Sequence, residues 1–154
     1  MLENAAELCD NQEFSEAINI YDRVLNNDSK NIGALIDKAT TLQRIGENKK
    51  SIEFFDSALE IDPKNVNALI GKGSVLHALK KYDHAITLYD LALKINKKFA
   101  LTYAYKGLTL GEQGKINDAL RYFKKALSID KDLELASISK ETALKLLDSK
   151  KINK

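Results

Sequence analysis

Four stretches decide the fold: SEAINIYDRVL at 15–25, KSIEFFDSALE at 50–60, HAITLYDLALK at 84–94 and DALRYFKKALS at 118–128. Aligned by chemistry, they place a small residue at Ala17, Ser51, Ala85 and Ala119, each 34 residues after the last. An aromatic follows four residues on, at Tyr21, Phe55, Tyr89 and Phe123. Val24, Ala58, Ala92 and Ala126 come next, each followed by a leucine at 25, 59, 93 and 127. A second set keeps the same step: Ala5, Ala39, Gly73 and Gly107, then Leu8, Leu42, Leu76 and Leu110. A fixed period of this length marks a repeat array, in which each unit hides its apolar face against the next.

Each unit reads as two helices. In the second, Leu35, Ala39 and Leu42 lie on one face of a 3.6-residue period, which predicts helix A over Gly33–Ile45. Ile52, Phe55, Ala58 and Leu59 do the same for helix B over Lys50–Glu60. Gly46 and Gly114 stand where a helix end needs the left-handed conformation. Pro63 after Asp62 stops helix B. The small columns let helix backbones approach, so Gly73 and Gly107 read as packing residues. GKGSVL lies within a helical pattern and lacks the spacing of a phosphate loop.

The order of classes, with Ala17…Tyr21, Ser51…Phe55, Ala85…Tyr89 and Ala119…Phe123 as its core, resembles the tetratricopeptide repeat. The resemblance covers residues 1–133 and implies an all-α right-handed superhelix, an α-solenoid of four helix–turn–helix units. The units fall at 1–31, 32–65, 66–99 and 100–133 of a single domain spanning 1–148. An amphipathic segment, 134–148, carries Leu135, Ile138, Ala143, Leu144 and Leu147 and reads as a capping helix. Residues 149–154 form a polar, Lys-rich tail. The chain departs from the family at its first aromatic, kept only as Tyr103, and at the terminal proline, kept only as Pro63. Lys38, Lys72 and Lys106 form a further column, read as stems that pack while their amines reach water rather than as a cationic ladder for a ligand.

Composition bounds the function. The chain has 154 residues, one Cys, two His and a net charge of +2. A single Cys excludes an internal disulfide and points to a reducing compartment. The opening MLENAAELCDNQEF lacks the basic start and apolar run of a secretory signal, and no long apolar stretch occurs, so a soluble cytoplasmic protein is expected, with no membrane partner. His77 and His84 stand seven apart without a third ligand, Cys9 has no histidine near it in sequence, and no acid pair is spaced for catalysis. The expectation is no enzyme, no cofactor and no metal. A related 35-residue repeat reads RNA, but here the step is 34 and the net charge small, so no nucleic acid is expected.

The resemblance implies that helix A lines a concave groove. Positions off the core arc then nominate Ile36, Thr40, Gln43, Asn67, Ile70, Ser74, His77, Leu101, Ala104, Tyr105 and Leu108 as a peptide-binding surface. Ile36, Ile70, Leu101 and Leu108 are expected to show apolar surface there, suited to an apolar or amphipathic peptide or helix of a protein partner. Some relatives grip a terminal carboxylate with Lys and Asn, but the matching positions hold Leu2, Ala6, Asp37, Asn67 and Gly71, which supply no cation. The expected role is a non-catalytic adaptor. The alternative is a self-associating scaffold: residues 1–31 carry seven acids against Arg23 and Lys30, whereas 66–99 carry six lysines against Asp83 and Asp90. Unlike ends could stack head to tail, in a salt-sensitive way.

Overall fold

The computed structural model describes residues 1–152. Among them are nine helices and no strands: α1 (Leu2–Asp10), α2 (Phe14–Asn27), α3 (Ile32–Arg44), α4 (Asn48–Ile61), α5 (Val66–Ala78), α6 (Tyr82–Ile95), α7 (Ala100–Glu112), α8 (Ile116–Ile129) and α9 (Glu134–Ile152). The all-α helical repeat is as expected. The first four residues of the expected tail, 149–152, continue α9; residues 153–154 lie outside the described residues. No helix among the described residues is long and apolar enough to cross a membrane. The chain forms two compact units, Met1–Val75 and a second from Leu76 onward.

Three-residue turns join each A helix to its B helix, and their second residue takes positive φ in every repeat: Gln12 (65°), Gly46 (83°), Lys80 (59°) and Gly114 (78°). The glycines adopt this freely, whereas Gln12 and Lys80 bear a steric cost of about 1 kcal/mol each. The B-to-A turns share a device that the single proline does not supply. Asp28, Asp62, Asn96 and Asp130 each accept, through Oδ1, the backbone N–H two residues on, at 3.0–3.1 Å. These side chains hold the chain in a turn, so helix B ends at the same place with or without Pro63.

In the first unit, Leu35, Ala39, Phe55, Ala58, Ala68 and Val75 form one buried cluster, and Ala5, Cys9, Ala17 and Tyr21 another. In the second, Leu110, Ile116, Ala119, Leu120, Phe123 and Ala143 pack together, beside Ala104, Ala126 and Ala136. Ala136 and Ala143 lie on α9, which thus covers α7 and α8 as a further helix A would.

One buried polar atom breaks the pattern. Thr102 is fully buried and its Oγ1 has no hydrogen-bond partner among the described residues, while the matching positions hold Ala34, Ala68 and Ala136. A buried hydroxyl that gave up water without a replacement bond is destabilising. Thr102→Val keeps the volume and removes the orphan, and is expected to raise stability by about 1 kcal/mol. A urea denaturation midpoint no higher than the parent's would contradict this.

Candidate functional site

The lysine column proves to be structural. Lys38 Nζ donates to Asp22 Oδ1, Lys72 to Asp56 at 2.5 Å and Lys106 to Asp90 at 2.5 Å. Each aspartate lies on the preceding helix B, 16 residues earlier, so the repeat itself writes a ladder of ion pairs. Lys38 also sits 4.0 Å over the Phe54 ring and Lys106 4.5 Å over Tyr122. The amines therefore do not snorkel to water, as the sequence suggested; the aspartate column one residue after the repeat aromatic holds them. Burial by itself would lower the Lys106 pKa, but the bond to Asp90 and the contact with Tyr122 outweigh it and hold the ammonium above the ordinary lysine value.

A polar seam runs between successive A helices within each unit. In the first, Cys9 Sγ lies 3.1 Å from Thr41 Oγ1, and Gln43 donates to Ser74 at 2.9 Å. Thr41 gives its own hydrogen to Asp37 O at 2.9 Å, so Cys9 is the donor to Thr41. In the second, His77 Nδ1 lies 2.9 Å from Thr109 Oγ1, whose hydrogen goes to Tyr105 O. His77 must then carry its proton on Nδ1, and Nε2 is left an acceptor. Burial lowers the His77 pKa, opposed by the charge of Glu112.

Tyr21 contacts Thr41, and two repeats later Tyr89 contacts Thr109. Burial raises both tyrosine pKa values above the ordinary range. The folded chain keeps these hydroxyls protonated while unfolded tyrosine ionises near pH 10, so stability falls as pH rises past about 10. Lys106 acts in the same direction: its raised folded pKa gives stability that is present below the ordinary lysine value and lost as pH climbs through the folded one. Denaturation midpoints from pH 8 to 11 are expected to drop at the alkaline end, and Tyr89→Phe to flatten the drop by about 1 kcal/mol at one pH unit above the tyrosine value. An unchanged slope in Tyr89→Phe would reject the assignment.

The nominated groove residues divide. In the first unit Thr40 and Asn67 are exposed and Ile36, Gln43 and Ser74 half-buried, but Ile70 is only 7% exposed. In the second, His77, Leu101, Tyr105 and Leu108 are half-buried, with Tyr105 stacked on Tyr89 at 6.1 Å, while Ala104 is fully buried. Ile36, Ile70, Ala104 and Ile138 share one repeat position. Ala104 is covered by the helix that follows, where it packs with Ala136 of α9. No further helix A covers α9 among the described residues, so Ile138 is 57% exposed. Of the apolar residues of the capping segment, Ala143 is buried, whereas Ile138 and Leu144 are exposed.

Apolar surface gathers in a cleft of about 200 Å³ in the second unit. Leu108, Gly111 and Glu112 of α7 form one wall, Ile138, Thr142 and Leu146 of α9 the other, and Ile116, Ala119 and Phe123 of α8 the floor. Sequence reasoning found Leu108 and missed Leu146, 46% exposed, whose repeat counterpart is the polar Glu112. Among the described residues no three His, Cys, Asp or Glu side chains come together to hold a metal.

A family model described as "Anaphase-promoting complex, cyclosome, subunit 3" matches residues 10–92, more than half of the chain, and one described as "Tetratricopeptide repeat" matches residues 101–133. No curated protein matches the sequence. Among solved structures, a thermophilic TPR protein of Thermus thermophilus superposes with a TM-score of 0.86 at 17% identity, over 95% of this chain and 80% of its own. MamA gives 0.75 at 24% identity, over 92% of this chain and 77% of its own. The first TPR of Spaghetti, bound to an HSP90 peptide, gives 0.71 at 20% identity, over 79% and 96%. Two-helix units at a 34-residue step, small residues at the helix crossings and matches to models along both units agree: the chain belongs to the tetratricopeptide repeat family.

Proposed function

We propose that this chain is a non-catalytic protein-interaction module that takes an apolar side chain or helix face of a partner protein into the cleft between α7 and α9. One observation carries the reading. Leu108, Ile138 and Leu146 leave apolar surface around a concavity whose rim is polar, with Glu112 and Thr142 beside it. Buried apolar anchors within a polar rim are the usual source of binding energy at such surfaces. The structure of Spaghetti with its HSP90 peptide supports peptide binding as a use of this fold. In the first unit the equivalent face is polar (Thr40, Gln43, Asn67, Ser74), which fits hydrogen bonding to a peptide backbone. We place the module in the cytoplasm, where the lone buried thiol of Cys9 stays reduced.

Ile70→Glu is a poor probe of this idea, because it would bury a carboxylate and unfold the unit. Leu146→Glu changes an exposed side chain. It is expected to leave the melting temperature within a few degrees of the parent's and to weaken partner retention in affinity capture by about tenfold or more. Equal retention by the two proteins would remove the cleft from the account.

A further inference from the structure

We propose that a second copy of this chain docks its α1 on α8, supplying the carboxylates that the fourth rung of the lysine ladder lacks. In three rungs an aspartate of helix B takes the ammonium of the lysine 16 residues on: Asp22 with Lys38, Asp56 with Lys72, Asp90 with Lys106. The fourth rung carries Lys124 where the aspartate stood, and Lys140 at the lysine position. α9 keeps the repeat register, since Ala136 and Ala143 fill the core positions of Ala68 and Val75. The rung thus sets two cations where every other rung sets a pair. Among the described residues, the ion pairs include neither Lys124 nor Lys140.

The surroundings sharpen the imbalance. Arg121, Lys124, Lys125 and Ser128 fall at i, i+3, i+4 and i+7 of α8 and line one cleft with Tyr122. Arg121 is engaged by Asp118 of its own helix at 2.9 Å, which leaves Lys124 and Lys125 facing outward. Like charges one turn apart repel, and an opposing acidic stripe relieves that repulsion. α1 presents such a stripe: Glu3, Glu7 and Asp10, at i, i+4 and i+7, are all exposed. Beside it Met1, 67% exposed, and Leu2 line a second cleft that also holds Asp28, so apolar contact is available next to the charges. The two stripes are of opposite sign, which favours α1 on α8 over any pairing of like with like. The contact is heterologous, because each copy offers one acidic and one basic surface.

Two variants and their mixture test the proposal by sedimentation velocity of the full chain. Lys124→Asp restores the aspartate of the other rungs, so the fold is expected to hold or gain stability while the basic stripe is lost. The double variant Glu3→Lys with Glu7→Lys reverses the acidic stripe on exposed positions. The parent is expected to associate at about 50 mM salt and to be monomeric at about 500 mM. Each variant alone is expected to associate about tenfold more weakly or worse. An equimolar mixture is expected to regain association and to stop at two copies, since only one intact α1 and one intact α8 remain. A parent that is monomeric at low salt, a variant that associates like the parent, or a mixture that stays monomeric would each overturn the proposal.

Discussion

Gly71→Val is expected to cost about 3 kcal/mol or more. A Cβ at Gly71 would overlap Cζ and Cε1 of Phe55, well inside contact distance, with Cε2 at 3.2 Å. Phe55 is fully buried among Leu35, Ala39, Ala58, Ala68 and Val75, so the ring has nowhere to retreat. Even Gly71→Ala, which gains about 1 kcal/mol of helix propensity, should lose more to this clash than it gains. Phe55→Leu opens space at the same point. In the double variant Gly71→Val, Phe55→Leu the cost is therefore expected to be less than the sum of the single changes. Additive urea midpoints would show that the crowding is not the cause. Gly107 carries the same signature against Phe123, at 2.6 Å to Cε1.

The ladder supplies the second large effect. Asp22→Ala takes the carboxylate away from Lys38, whose side chain is 11% exposed in the parent and whose ammonium lies over the Phe54 ring. Stranding a nearly buried charge is expected to cost about 2 kcal/mol, less than for a fully buried pair because Asp22 itself is 48% exposed. Lys38→Met removes the charge along with the need for a partner and keeps the packed stem. It is expected to cost under about 1 kcal/mol. The inequality between the two variants is the prediction, read from thermal or urea midpoints. Equal losses, or a larger loss in Lys38→Met, would mean that the pair is an ordinary exposed one.

The helices and the turn glycines were legible because the side chains that define them lie within a few residues of each other, and the 34-residue step because the same classes recur in register without an insertion. What lies between helices was less so. The sequence singled out Gly107 as a packing glycine, and Phe123 presses on it; it passed over Gly71, which Phe55 presses because the ring reaches forward to α5. The alternation of Tyr21, Phe55, Tyr89 and Phe123 was visible as a column of one class. Its cause is the next helix A: the tyrosines meet Thr41 and Thr109, whereas Phe55 packs with Val75 and Phe123 with Ala143. Asp22 and Lys38 stood 16 apart in plain view, but only the stacking of α3 on α2 makes them partners.

The nominated surface followed a similar course. Ile70 and Ala104 occupy positions that face a groove in an isolated helix A, yet both are buried in the folded chain, Ala104 beneath α9. The exposed apolar residues moved instead to α9, where Ile138 and Leu146 have no such cover among the described residues. A helix read as a lid is thereby also a wall of the cleft. Its apolar stripe is wider than the contact with α7 and α8 requires, and that surplus was the signal available in the sequence.

Titration of the partner segment recovered by affinity capture into the parent and into Leu146→Glu, with melting curves recorded for both, tests the central claim most directly. Binding to Leu146→Glu is expected to be at least about tenfold weaker at an unchanged melting temperature. Equal affinity for the two proteins would contradict it.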